Sequence, residues 1–97
     1  MNYMPIEYSD DEIKAEILNK LVRRGCWGGR YLPLETLIHW LSKKIKRNGR
    51  RIKRLIKELV KEGYILIHKK GKTISLNPHY KKQIIEYIER TFKEMEG

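Results

Sequence analysis

Between Lys43 and Lys57 the chain carries nine positive charges: Lys43, Lys44, Lys46, Arg47, Arg50, Arg51, Lys53, Arg54 and Lys57. No acidic residue lies between Glu35 and Glu58. The only chemistry this supports directly is recognition of anions. A guanidinium reads guanine O6 and N7 with two hydrogen bonds, a carboxamide such as that of Asn48 reads adenine, and an ammonium suits a phosphate. A helix with such a face repels itself, so a polyanionic partner is the simplest reason to keep it, and nucleic acid is the commonest one.

Other chemistries lack their residues. His39, His68 and His79 are the only imidazoles, and neither His-x-x-x-His nor Cys-x-x-Cys occurs, so no metal site is expected. Asp10, Asp11 and Glu12 suit a helix start better than a cation site. No Gly-x-x-x-x-Gly-Lys-Ser/Thr phosphate loop and no recognisable nucleophile motif is present. The sequence therefore gives no support for an enzyme, a cofactor or a small-molecule effector.

A chain of 97 residues suits one small domain, and 40% hydrophobic content allows a modest core. The net charge of +10 is unevenly placed. Residues 1–22 hold two Lys against five acids, residues 23–75 hold sixteen Lys and Arg against three Glu, and residues 76–97 hold four of each. A basic middle between acidic and neutral ends points to one binding surface rather than a basic tail. The single cysteine, Cys26, excludes a disulfide within the chain and fits a reducing cytoplasm. No transmembrane-length apolar run and no signal peptide is evident, so the expected location is cytoplasmic, without a membrane partner.

The elements that must position the basic run follow from local signals. Residues 1–8 read as an N-terminal arm. Ser9-Asp10-Asp11-Glu12 is a capping box, Ile13, Ile17, Leu18, Leu21 and Val22 give a helical face, and Gly25 suits the stop. A glycine-rich loop follows, and Tyr31-Leu32 is long enough for a very short strand. Pro33 suits the first position of a second helix with the stripe Leu34, Leu37, Ile38, Leu41. Asn48-Gly49 is a turn and cap, and a third helix is expected over 49–62, ended by Gly63. At 100° per residue this helix puts Ile52, Leu55, Ile56 and Leu59 on one side and Arg50, Arg54, Lys57 and Lys61 on the other, flanked by Arg51 and Lys53. Residues 64–68 and 73–76 predict a β-hairpin with a tip of Lys69, Lys70, Gly71 and Lys72. Asn77-Pro78 opens a last helix.

This order resembles the winged helix-turn-helix family. The resemblance rests on Leu34-x-x-Leu37-Ile38-x-x-Leu41, on Ile52-x-x-Leu55-Ile56-x-x-Leu59, and on the exit Glu62-Gly63-Tyr64-Ile65. It spans about Ser9 to Leu76. The loop Gly25-Cys26-Trp27-Gly28-Gly29 and the exit Ser75-Leu76-Asn77-Pro78 are similar to those of small archaeal winged-helix proteins. The implied fold is α+β and mostly helical: a three-helix core, a short strand, a two-stranded wing and a C-terminal helix. The domain would cover 9–78, and 79–97 would be an added helix. The link from Leu41 to Ile52 is about four residues longer than the family's usual turn, so either the second helix gains a turn or the link is a basic loop.

The resemblance implies a regulator of transcription that inserts its third helix in the major groove of double-stranded DNA. Asn48, Arg50, Arg51 and Arg54 are the base-reading candidates. Lys43, Lys44, Lys46, Arg47, Lys53 and Lys57, with Lys69, Lys70 and Lys72 of the wing, are the backbone candidates. The last helix has more apolar residues than one contact face requires, which suggests a homodimer through Tyr80, Ile84, Ile88 and Met95. Two other readings stand beside this one. An RNA-binding winged helix would lean on Trp27, Tyr31 and the wing. A protein-interaction or architectural chromatin module would reuse the fold without sequence-selective binding. Trp27 is expected to cap the core, and Trp40 to lie at its edge.

Overall fold

A computed structural model of the chain describes residues 8–45 and 49–96. Its first helix, α1 (Asp10–Arg23), starts at the expected capping box: the Glu12 N–H donates to Ser9 Oγ at 3.1 Å and the Ser9 N–H donates to Glu12 Oε1 at 2.7 Å. Two backbone donors that the first turn leaves free are thus satisfied reciprocally. Past the other end Gly25 turns the chain with a φ of +65°. The strand β1 (Leu32–Pro33) lies one residue later than Tyr31-Leu32. Pro33 accordingly precedes helix α2 (Leu34–Lys44) instead of opening it. No side chain caps α2; the Leu34 N–H donates instead to the Lys72 carbonyl at 2.9 Å.

α2 continues one turn beyond Leu41, and the Ile45 N–H closes it on the Leu41 carbonyl at 2.7 Å. Helix α3 (Gly49–Lys61) then begins, one residue shorter at its end than expected. Its apolar stripe goes inward as the periodicity requires: Ile52, Leu55 and Leu59 are fully buried and Ile56 nearly so. Burial of such side chains stabilises by roughly 1.5–3 kcal/mol each, so the orientation of α3 is strongly fixed. Gly63 follows with a φ of +90°, and a Cβ there would sit 2.9 Å from Tyr80 Cε2. The position excludes side chains twice, by backbone conformation and by space.

Strands β2 (Ile65–His68) and β3 (Thr73–Leu76) form the hairpin, and β1 joins on the far side of β3, so the antiparallel sheet has the order β1-β3-β2. The pairs Ile65–Leu76, Ile67–Ile74 and Leu32–Ile74 share the core face, while Leu66–Ser75 and His68–Thr73 share the other. Ile65, Ile74 and Leu76 are buried, but Ile67 is 45% exposed because the hairpin tip extends past the core. At the base, Asn77 ties three elements together. Its Nδ2 donates to the Gly63 carbonyl at 3.0 Å, and its Oδ1 accepts from the His79 N–H at 3.1 Å in the 3-10 turn Pro78–Tyr80.

Helix α4 (Lys81–Glu96) packs along α1 and buries Ile84, Ile88 and Thr91 in the common core. This corrects the assignment of the dimer candidates. Ile84 is fully buried and Ile88 is 7% exposed within the single chain, so neither is available to a second one. The excess apolar surface of α4 is taken up by α1, an element the sequence pattern did not name as its partner. Tyr80 packs edge-on against Tyr64, with ring centroids 5.6 Å apart, while keeping 37% of its surface in water. Only Met95, at 41% exposure, stays on the surface without a described role. No helix among the described residues is long and apolar enough to cross a membrane.

Candidate nucleic-acid interface

With its apolar stripe buried, α3 has to turn its cations to solvent. Arg50, Lys53, Arg54, Lys57 and Lys61 are all exposed, and with Glu58 they line an open hollow along the helix. From Arg50 to Lys61 the row runs about 16 Å at the helical rise. Among the described residues Arg50, Lys57 and Lys61 make no ion pair.

Counter-charges reach the rest of the row. Arg54 Nη1 lies 2.8 Å from Glu58 Oε2 one turn on, and its Nη2 lies 3.5 Å from Asp10. Lys53 Nζ is 3.8 Å from Glu35. The side chains of these groups are all between 41% and 79% exposed, so their pairing is weak and exchangeable. Arg51 is different. Its Nε donates to Asp10 Oδ1 at 2.9 Å, and its Nη2 contacts the same carboxylate at 2.7 Å and the Tyr8 carbonyl at 2.8 Å. Its side chain is 30% exposed. Arg51 therefore clamps the start of α1 to the start of α3, and its guanidinium, expected to be a base-reading candidate, is taken up by these contacts. The same guanidinium holds the Asp10 carboxyl below the usual carboxylate range. Beneath the row, Lys14 Nζ bridges Glu58 and Glu62 at 3.1 Å each.

Asn48, Lys46 and Arg47 lie outside the described residues, as does the side chain of Lys44. Lys43 is exposed on the last turn of α2. The hairpin meets the start of α2, where the Leu34 N–H donates to the Lys72 carbonyl, and the adjacent Glu35 reaches Lys53 of α3. Lys69, Lys70 and Lys72 are exposed and make no ion pair among the described residues. The turn that presents them is strained. Lys69 and Lys70 take left-handed backbone, with φ of 50° and 57°, before Gly71 at 88°. Each lysine there costs roughly 1 kcal/mol that a glycine would not.

Beside this tip lies a feature the sequence did not predict. Tyr31, 43% exposed, stacks on His68 with ring centroids 4.0 Å apart. His68 Nε2 is 2.9 Å from Ser75 Oγ, and the Ser75 hydroxyl lies 2.7 Å from the Gly28 carbonyl. The carbonyl can only accept, so the single hydroxyl proton goes to Gly28 and the Nε2–H of His68 donates to Ser75. Ser75 is fully buried, so the imidazole is held from below.

Trp27 packs half-buried on the core, with Lys81 Nζ 5.8 Å from its ring centre, and half-buried Trp40 carries the Arg24 guanidinium at 4.2 Å. Among the described residues no group of three His, Cys, Asp or Glu is placed to hold a metal ion. Compared with known protein families, curated proteins and solved structures, the chain matches none.

Proposed function

We propose that this chain is a winged helix-turn-helix domain that binds double-stranded DNA, with α3 in the major groove and the β2–β3 hairpin as the wing. The element order α1, β1, α2, α3, β2, β3 and the sheet order β1-β3-β2 support the fold reading. The observation that carries the functional reading is the division of α3. Four large aliphatic residues are locked in the core, and Arg50, Arg54, Lys57 and Lys61 stand in a row on the opposite side. A helix with its side chains is about 10–12 Å across, and the major groove is about 12 Å wide.

Arg50 and Arg54 are the base readers in this mechanism. Lys43, Lys53, Lys57, Lys69, Lys70 and Lys72 take phosphates and set the register. The carboxylates around Arg54 tune binding without blocking it. An exposed pair is worth about 0.2–1 kcal/mol, whereas each phosphate neutralised also releases a condensed counterion. A polyanion therefore displaces Asp10 and Glu58 from Arg54. Service as a transcriptional regulator requires a sequence-selective site, which selection of bound duplexes from a random pool would reveal.

The decisive experiment is a salt titration on duplex DNA. With about six phosphates neutralised, log K should fall against log salt with a slope of about −5. A slope near zero overturns the reading.

A further inference from the structure

We infer that Tyr31 is a stacking platform for an unpaired base, so that the domain prefers duplex DNA carrying a single-stranded extension over blunt duplex. The inference rests on the duplex-binding reading and adds a ligand for a surface that reading leaves unused.

A stacking platform needs a ring that is rigid, exposed and close to cations. Tyr31 has all three properties. It is fixed in the chain by Leu32, which pairs with Ile74 in the sheet. Its ring rests on His68 at 4.0 Å, and His68 is held by the buried Ser75–Gly28 relay. It nevertheless keeps 43% of its surface in water. Lys69 Nζ lies 6.0 Å from the ring centre, within reach of the phosphate of a nucleotide stacked there. Lys70 and Lys72 stand on the same exposed turn.

The exposed ring is not needed to close the loop it follows. Three other bonds already pin that loop to the sheet. The Ser75 hydroxyl donates to Gly28 at 2.7 Å, the Gly28 N–H donates to the Leu76 carbonyl at 2.9 Å, and the Leu76 N–H donates to the Cys26 carbonyl at 2.7 Å. A large aromatic left in water, with the Lys69 ammonium over its ring and Lys70 and Lys72 on the same turn in no ion pair among the described residues, therefore asks for a flat, negatively charged partner. A nucleotide with a free base has both properties. A paired base offers only its edge, so duplex alone leaves the ring empty.

The test is fluorescence anisotropy with three labelled DNAs: a short blunt duplex, the same duplex with a single-stranded extension, and the same extension made abasic. The abasic form adds the phosphates without the bases. We expect the natural extension to bind roughly five- to tenfold tighter than the abasic one, the low end of what base–aromatic stacking supplies. Tyr31→Ala should erase that difference and leave blunt-duplex affinity unchanged, and Tyr31→Trp should preserve it. Equal affinity of the unaltered protein for natural and abasic extensions, or an undiminished preference in Tyr31→Ala, overturns the inference while leaving duplex binding standing. Failure to bind any of the three overturns the duplex reading and this inference with it.

Discussion

Replacing Asp10 with Asn should weaken the fold and tighten the complex with DNA, two effects of opposite sign from one carboxylate. Asp10 sits in the first turn of α1, contacts Arg51 at 2.7 Å and reaches Arg54 at 3.5 Å. Loss of a first-turn acid costs about 0.3–1 kcal/mol, and loss of an exposed ion pair about 0.2–1 kcal/mol. Together they lower stability by roughly 0.5–2 kcal/mol, or several degrees in Tm for a chain of this size. On the binding side Arg54 loses a competitor for DNA. The gain is the same weak pair energy, about 1.4- to fivefold in affinity. Differential scanning fluorimetry and anisotropy across a salt series read the two effects separately. Unchanged or weaker DNA binding in Asp10→Asn would refute the claim that the carboxylate and DNA compete for Arg54.

Four further outcomes follow from the same geometry. Arg50→Ala should leave Tm unchanged and cost about 1–3 kcal/mol of discrimination between selected and scrambled duplexes, whereas Arg51→Ala should lower stability by about 1–2 kcal/mol and leave that discrimination intact, as thermal melts beside binding titrations would show. Lys70→Gly relieves left-handed strain, so stability should rise by about 0.5 kcal/mol while duplex affinity falls, both read on one sample series. Gly63→Ala should cost about 1–2 kcal/mol in chemical denaturation, since φ is +90° and Tyr80 already occupies the Cβ position. The pH dependence is fixed at both ends. Burial alone would lower the Lys14 ammonium, but Glu58 and Glu62 outweigh it and raise its pKa above the ordinary 10.5. That stability is complete below 10.5 and is lost as pH rises through the higher folded value. Asp10 is depressed chiefly by the Arg51 hydrogen bond, so its contribution is complete above 3.8 and is lost as pH falls through the folded value. Lys14→Met should shrink the alkaline loss of Tm without abolishing it, because burial also pushes up the Tyr87 hydroxyl and the Cys26 thiol, and it should leave the acid part unchanged.

What the sequence made legible was whatever depends on near neighbours. Ser9 and Glu12 cap α1 because they are three residues apart, and Gly63 ends α3 because only glycine accepts its backbone. The inward and outward faces of α3 followed from helical period alone. Glu58 beside Arg54 was also readable, being one turn away on the same helix. Asp10 beside Arg51 was not: the two are 41 positions apart and meet only because α1 crosses α3. That contact separates a structural arginine from an exposed one, and charge counting along the chain treats them alike. Tyr31 on His68 was hidden for the same reason, because the sheet order that joins β1 to β3 brings a loop residue to the hairpin tip. On α4 the stripe of Ile84 and Ile88 was plain, but a stripe does not name what covers it.

The amide of Leu34 ends on the carbonyl of Lys72, so the hairpin supplies the missing cap of α2. Any tilt of the hairpin that lengthens this bond also frays the first turn of α2, where Glu35 reaches toward Lys53. Hairpin and helix therefore share one mechanical joint, and hydrogen–deuterium exchange at Leu34 reports on both. Ligand pressing on the lysine tip should slow that exchange well away from any residue it touches.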